Sequence, residues 1–144
     1  MKEVIRANDS VLEVGGHIGY FSIFYAYLAG SGGRVVVLEP GKNNIPYLRK
    51  NLVQTGDGMM LSPVELIEAA AGERDGEATL YEEDLTGQNN SLVNDFPGLR
   101  ANKAKAHIKV HISQRKVQVR GINSIMDSHS LSPRLIKIDV EGFE

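Results

Sequence analysis

The chain has 144 residues, 42% of them hydrophobic and 24% charged, which fits one soluble globular domain, residues 1–144, with a sizeable core. A net charge of −2 gives no electrostatic reason to expect nucleic acid or an acidic membrane as partner. The absence of cysteine excludes disulfides, thiolate zinc sites and thiol catalysis, and no apolar run approaches the roughly 18 residues of a membrane span, so a cytoplasmic setting is expected.

Val11-Leu12-Glu13-Val14 suits a strand buried on both faces, as in a parallel sheet. Gly15, Gly16 and Gly19 follow as a turn without side-chain bulk, and a helix begins there. Unpaired N–H groups at such a helix start favour a nucleotide-like ligand. Phe21, Phe24, Tyr25 and Leu28 recur at helical spacing and predict the buried face of that helix. Gly30 to Gly33 ends it, and Arg34 to Glu39 is a second, nearly unbroken apolar strand. Asn43 or Asn44 can cap a second helix with Pro46 in its first turn; Ile45, Leu48 and Leu52 line its buried face, and Thr55 to Gly58 closes it. Val64 to Ala69 is a third strand, and this βαβαβ rhythm predicts a doubly wound, mostly parallel α/β sheet with right-handed crossovers.

The rhythm then breaks. Gly72 to Gly76 reads as a turn and Glu77 to Tyr81 as a short strand. Residues 82–107 are polar and poorly periodic, which predicts a long loop or insertion. One or two exposed strands are expected within Lys109 to Arg120, a short helix over Ile122 to Met126, and a last buried strand over Arg134 to Asp139. A doubly wound sheet ordinarily continues past such a strand, so the expectation is a C-terminally truncated or unusually short domain.

Glu39 ends the second strand, 20 residues after Gly19. Ligands of open parallel sheets lie across the C-terminal strand ends, where a carboxylate accepts hydrogen bonds from a ribose diol. The spacing acid-x-G-x-x-x-G, with Glu13, Gly15 and Gly19, differs from the dinucleotide fingerprint. The fingerprint's second glycine would fall at His17, whose side chain obstructs a pyrophosphate. A ligand without a diphosphate, such as an adenosyl amino acid, suits the turn better. The two rivals to this reading are a nicotinamide-dependent oxidoreductase and a non-catalytic fragment or binding module.

Several separated segments resemble one family. Glu13-Val14-Gly15-Gly16-His17-Ile18-Gly19-Tyr20-Phe21-Ser22 looks like the first motif of the class I S-adenosylmethionine-dependent methyltransferases of the FkbM type. Leu38-Glu39-Pro40 with Asn44, Leu48, Asn51 and Leu52, then Ala70-Ala71-Gly72 with Asp75 to Ala78, Asn90-Ser91-Leu92, and Leu135 to Glu144 resemble later segments of that family. Gly16, His17 and Gly121-Ile122-Asn123 depart from its usual residues.

The resemblance implies S-adenosylmethionine as cofactor and O-methylation of a hydroxyl on a small molecule or sugar. It also implies a cofactor-binding set of Glu13, Gly15, Gly16, His17, Gly19, Glu39, Pro40, Glu68, Ala69 and Asp139. In that set the Gly15–Gly19 backbone holds the methionine moiety, Glu39 the ribose and Glu68 the adenine amino group. Asp139 positions the cofactor's amino group or acts as general base, which makes it the candidate catalytic residue. His17 either faces the pocket or only replaces an asparagine in the turn. Asp139, Glu141 and Glu144 form an acidic group better read as helix-start acids than as a metal site. No metal is assigned, and His107, His111 and His129 are given no role. The basic residues Lys103, Lys105, Lys109, Arg115, Lys116 and Arg120 read as a solvated edge.

Overall fold

The computed structural model describes residues 4–56, 61–94 and 111–141. Its centre is the pair β1 (Ser10–Val14) and β2 (Arg34–Leu38), parallel and in register from Ser10 opposite Arg34 to Val14 opposite Leu38. Val11, Leu12, Val14 and Val35 to Leu38 are all buried, as unbroken apolar runs in an inner parallel strand require. β3 (Val64–Ile67) flanks β2, and β7 (Leu135–Ile138) flanks β1, giving a four-stranded parallel sheet in the order β3-β2-β1-β7. The intervening strands are named below.

Helices cover both faces of this sheet. α1 (Tyr20–Ala29) packs Tyr25, Ala26 and Ala29 against Val11 and Val35. The buried stripe of α1 is Ser22, Tyr25, Ala26 and Ala29, one residue round from the expected one. Small side chains let the helix approach the sheet closely, while Phe24 and Leu28 fill its flanks and Phe21 is 36% exposed. α2 (Ile45–Gly56) lies beside α1 with Ile45 and Leu48 buried. On the opposite face α3 (Ile122–Ser128) sets Ile125 against Leu12, Val14, Val36 and Leu38, with Leu131 beside it.

A second sheet holds β4 (Ala70–Gly72), β6 (Ile112–Gly121) and β5 (Gly76–Glu83) in the order β4-β6-β5. β4 and β6 are parallel, and β5 and β6 antiparallel. The expected third strand therefore ends early. The main chain turns at Ile67, whose carbonyl accepts from both Glu39 N and Ala69 N, and continues into the other sheet at Ala70. The strands expected within Lys109 to Arg120 are one ten-residue strand from Ile112, with Val117 and Val119 buried against Ala70 and Leu80. Arg115 fastens the second sheet to the first: its guanidinium donates to Glu82 and, at 2.6 Å, to the Pro40 carbonyl.

β7 corrects the expectation of a fully buried strand. It stands at the edge of the sheet, and Ile136 and Ile138 are 40% and 45% exposed on the α3 side. Among the described residues no helix is long and apolar enough to cross a membrane. Asp57 and Gly58, residues 95–107 of the expected loop, Lys103, Lys105, His107, Lys109 and Glu144 lie outside the described residues.

Candidate cofactor site

The chain runs outward from β1 through β2 to β3 and later returns to the far side of β1 as β7. The tips of β1, β2 and β7 therefore surround a topological switch point, where open α/β sheets bind ligands. A cavity of about 290 Å³ opens there, lined by residues from all three tips: Glu13 and Gly15 to His17, Glu39 and Pro40, and Lys137 with Asp139 to Glu141.

The glycine turn is built by close backbone approach. Gly15 N and Gly16 N both donate to the Leu38 carbonyl at 3.0 Å. Gly15 has φ +85°, and a Cβ there would lie 2.0 Å from the Asp139 carbonyl oxygen, so the turn is pressed against the tip of β7. At Gly16 a Cβ would meet Val37 Cγ2 at 2.4 Å. Gly19, also at positive φ, precedes the first residue of α1 under Leu48; it shapes the turn from behind and does not line the cavity.

Glu39 is only 5% exposed, and its carboxylate is held from three sides. Oε2 accepts from His17 N at 2.8 Å, and Oε1 accepts from Gly41 N at 2.8 Å and Asn44 Nδ2 at 3.1 Å. Burial raises its pKa above the ordinary value, and the donors from Asn44, Gly41 and His17 oppose that rise. Asn44, at the position before α2, donates both protons of its side-chain amide into the site, to Glu39 and to the Gly87 carbonyl.

Glu13 is 1% exposed. Ser22 Oγ donates to its Oε2 at 2.5 Å, whereas Oε1 has no hydrogen-bond partner. Lys137 Nζ lies 3.6 Å from that oxygen, donates to the Gly15 carbonyl at 3.1 Å, and stands 3.3 Å from Asp139 Oδ2. Burial pushes the Glu13 carboxyl up to about 7, against the pull of Ser22 and Lys137 and with a smaller contribution from Glu39. Asp139 is the open member of the group, its side chain 59% exposed at the cavity wall.

The outer wall comes from the segment after β5. The Glu83 carboxylate accepts from Leu85 N, Thr86 N and the Thr86 hydroxyl. Burial pushes its pKa up, but these donors and the Gly87 N–H outweigh it, so the net direction is down. The fixed turn places Gly87, Gln88, Asn90, Ser91 and Leu92 over the cavity. His17 Nε2 reaches the Thr86 carbonyl at 3.3 Å, and Ser91 Oγ donates to the Glu141 carbonyl at 2.9 Å. His17 therefore lines the cavity and also bonds its outer wall.

Glu13, Gly15, Gly16, His17, Glu39, Pro40 and Asp139 meet around one space. Glu68 does not. It projects to the surface and pairs with Arg49 of α2, its side chain 49% exposed, because the chain turns away after Ile67. Ala69 is buried behind the wall, and Ala70 and Ala71 line the cavity in its place. Lys137 was not among the expected site residues. Its signal is a cation inside an otherwise apolar strand, two positions before Asp139 and hence on its face, where it requires a carboxylate partner.

Among curated proteins none matches the chain. One solved structure, described as a "putative rRNA-methylase" from Clostridium thermocellum, is similar at 25% identity with a TM-score of 0.43. The similarity covers 48% of this chain and 37% of that one, so the chain spans well under half of that structure's length. Residues 13–144, which include every cavity-lining residue named above, match the family described as the Methyltransferase FkbM domain, and the chain belongs to that methyltransferase family.

Proposed function

We propose that this cavity binds S-adenosylmethionine and that the chain carries out O-methylation of a hydroxyl on a small molecule or sugar, in the cytoplasm. The observation that carries this reading is the pairing of two buried carboxylates on one cavity: Glu39, clamped at the tip of β2, and Glu13, whose Oε1 makes no hydrogen bond among the described residues and meets the Lys137 ammonium only at 3.6 Å. A buried carboxylate oxygen without a hydrogen bond can take a further donor, and a cofactor with an ammonium and a ribose diol would bring one to each acid. When bound, S-adenosylmethionine would supply a methyl carbon on a sulfonium; a hydroxyl oxygen attacks that carbon in line, the C–S bond breaks and the thioether leaves as S-adenosylhomocysteine.

The protein's contribution is placement and electrostatics. The Gly15–Gly16 backbone leaves room for a close approach, and Glu39 is immobilised by its donors before any ligand arrives. Asp139, open to the cavity, accepts the proton of the hydroxyl as the new O–C bond forms, or else orients the cofactor's amino group. Residues 87–92 exclude water from one side and border the acceptor space. Ala70, Ala71 and Leu80, apolar cavity residues, would hold the adenine, while Glu68 is paired with Arg49 away from the cavity.

Isothermal calorimetry with S-adenosylhomocysteine and with NADH tests the reading. Saturable S-adenosylhomocysteine binding without NADH binding is expected; NADH binding alone overturns it. Assays with radiolabelled methyl donor against sugars, phenols and RNA then sort the acceptor classes, and label transferred only to RNA overturns the hydroxyl small-molecule assignment.

A further inference from the structure

We propose that Lys137 is the positioning residue of this site, its ammonium fixing the Gly15 carbonyl and the Asp139 carboxylate at the cavity wall and serving as countercharge to Glu13. The inference rests on the cofactor reading above and concerns how that pocket is held ready.

Lys137 is opposite Glu13 in the β1–β7 register, so the two side chains emerge on the same face of the sheet, beneath α1. Its side chain is 19% exposed, and its Nζ lies over the Phe21 ring at 5.4 Å from the centroid. The ammonium has three donors and three oxygens around it: Gly15 O at 3.1 Å, Asp139 Oδ2 at 3.3 Å and Glu13 Oε1 at 3.6 Å. Each belongs to a different part of the pocket. Gly15 is the turn, Asp139 is the exposed acid at the tip of β7, and Glu13 is the buried acid on β1. One side chain thus ties the turn to the wall across the switch point.

The charges support the same role. Facing the group are Glu13 from β1, Lys137 and Asp139 from β7 and its tip, Tyr25 from α1 and Glu39 from the tip of β2. Lys137 is the cation among them, and it is also one of the influences that holds the Glu13 carboxyl down against burial. With the ammonium gone, Asp139 loses its ion pair, the Gly15 carbonyl loses its donor, and Glu13 takes up a proton at higher pH. The pocket then presents a Glu13 carboxyl that stays neutral to higher pH and an Asp139 carboxylate without its ion pair.

The test compares wild type, K137M and K137R by calorimetry with S-adenosylhomocysteine and by 13C NMR titration of the Glu13 carboxyl. K137M is expected to bind about tenfold more weakly, the scale of one charge-assisted hydrogen bond, and to titrate Glu13 at higher pH. K137R, which keeps the charge, is expected to return the Glu13 midpoint toward wild type. An unmoved Glu13 midpoint in K137M, or unchanged affinity, overturns the proposal while the cofactor reading stands. If wild type itself does not bind S-adenosylhomocysteine, the cofactor reading falls and the proposal with it. Should K137M fail to fold, the Lys137 ammonium 15N signal in wild type decides. It is expected to shift both with Glu13 ionisation and on S-adenosylhomocysteine addition, and a signal that ignores both overturns the proposal.

Discussion

Glu13 and Lys137 are register neighbours on adjacent parallel strands, and they face each other 3.6 Å apart under α1 at the cavity wall. A strand residue's side chain shares its face with the residue directly opposite, so two polar residues at matching positions of otherwise apolar strands must meet. The pair gives the first prediction its sign.

The folded-state pKa of Glu13 is about 7 against an ordinary 4.5, so between those values the folded chain holds a proton that the unfolded chain has released. The Glu13 contribution to stability is therefore full below pH 4.5, declines as pH rises through about 7, and stays at its lowest above that. The whole decline is on the order of 3 kcal/mol. E13Q removes this slope: urea unfolding of E13Q and wild type should agree near pH 5 and diverge toward pH 8, with E13Q the more stable. Parallel curves across that range would contradict the burial-raised carboxyl.

Glu39 makes three hydrogen bonds from a buried position, two to backbone N–H groups and one to Asn44. E39Q sets an amide where at least one donor already points, leaving a buried clash of donors. Stability should fall by about 1–3 kcal/mol in chemical denaturation. Under the proposed cofactor reading, affinity for S-adenosylhomocysteine should fall more than tenfold, because the charged acceptor assigned to the ribose is lost as well.

The glycine turn can be separated from the glycines that only end strands. G15A puts a Cβ 2.0 Å from the Asp139 carbonyl oxygen at φ +85°, and G16A meets Val37 at 2.4 Å. Each should lower stability by roughly 1–3 kcal/mol or more. At Gly76 a Cβ meets nothing within 4 Å, so G76A should change stability by only about 0.5 kcal/mol. Thermal melts of the three variants check the ranking.

Glu68 and Arg49 form a surface ion pair with side chains 49% and 60% exposed. E68A is expected to cost about 0–1 kcal/mol, less at high salt, and to leave S-adenosylhomocysteine affinity as in wild type. A tenfold loss of affinity in E68A would return that residue to the adenine position from which its place in the fold removes it.

Much of the parallel sheet was legible because local signals agreed. Apolar runs marked β1 and β2, glycines marked the turn, and Glu39 stood at a strand end where a ligand-facing acid belongs. The face of α1 is only partly legible: Tyr25 is buried as its spacing predicts, but close packing on the sheet selects the small residues Ser22, Ala26 and Ala29 beside it and leaves Phe21 at the rim. The position of Glu68 outside the cavity is not legible, because the turn after Ile67 depends on the Glu39 N–H sharing the Ile67 carbonyl with Ala69 N, and the Glu39 contact is tertiary. Lys137 escaped for a related reason: its importance lies in what stands opposite it, and strand pairing order is not written in either strand alone.

The space over the cavity is walled by residues 87–92, which belong to the connection between β5 and β6, whereas Glu13, Glu39 and Lys137 belong to the parallel sheet. The two halves of the pocket are thus encoded in separable stretches of chain. Under the proposed reading, changes in that connection would act first on the acceptor side, and through the His17–Thr86 and Asn44–Gly87 hydrogen bonds they would also reach the two residues that hold Glu39.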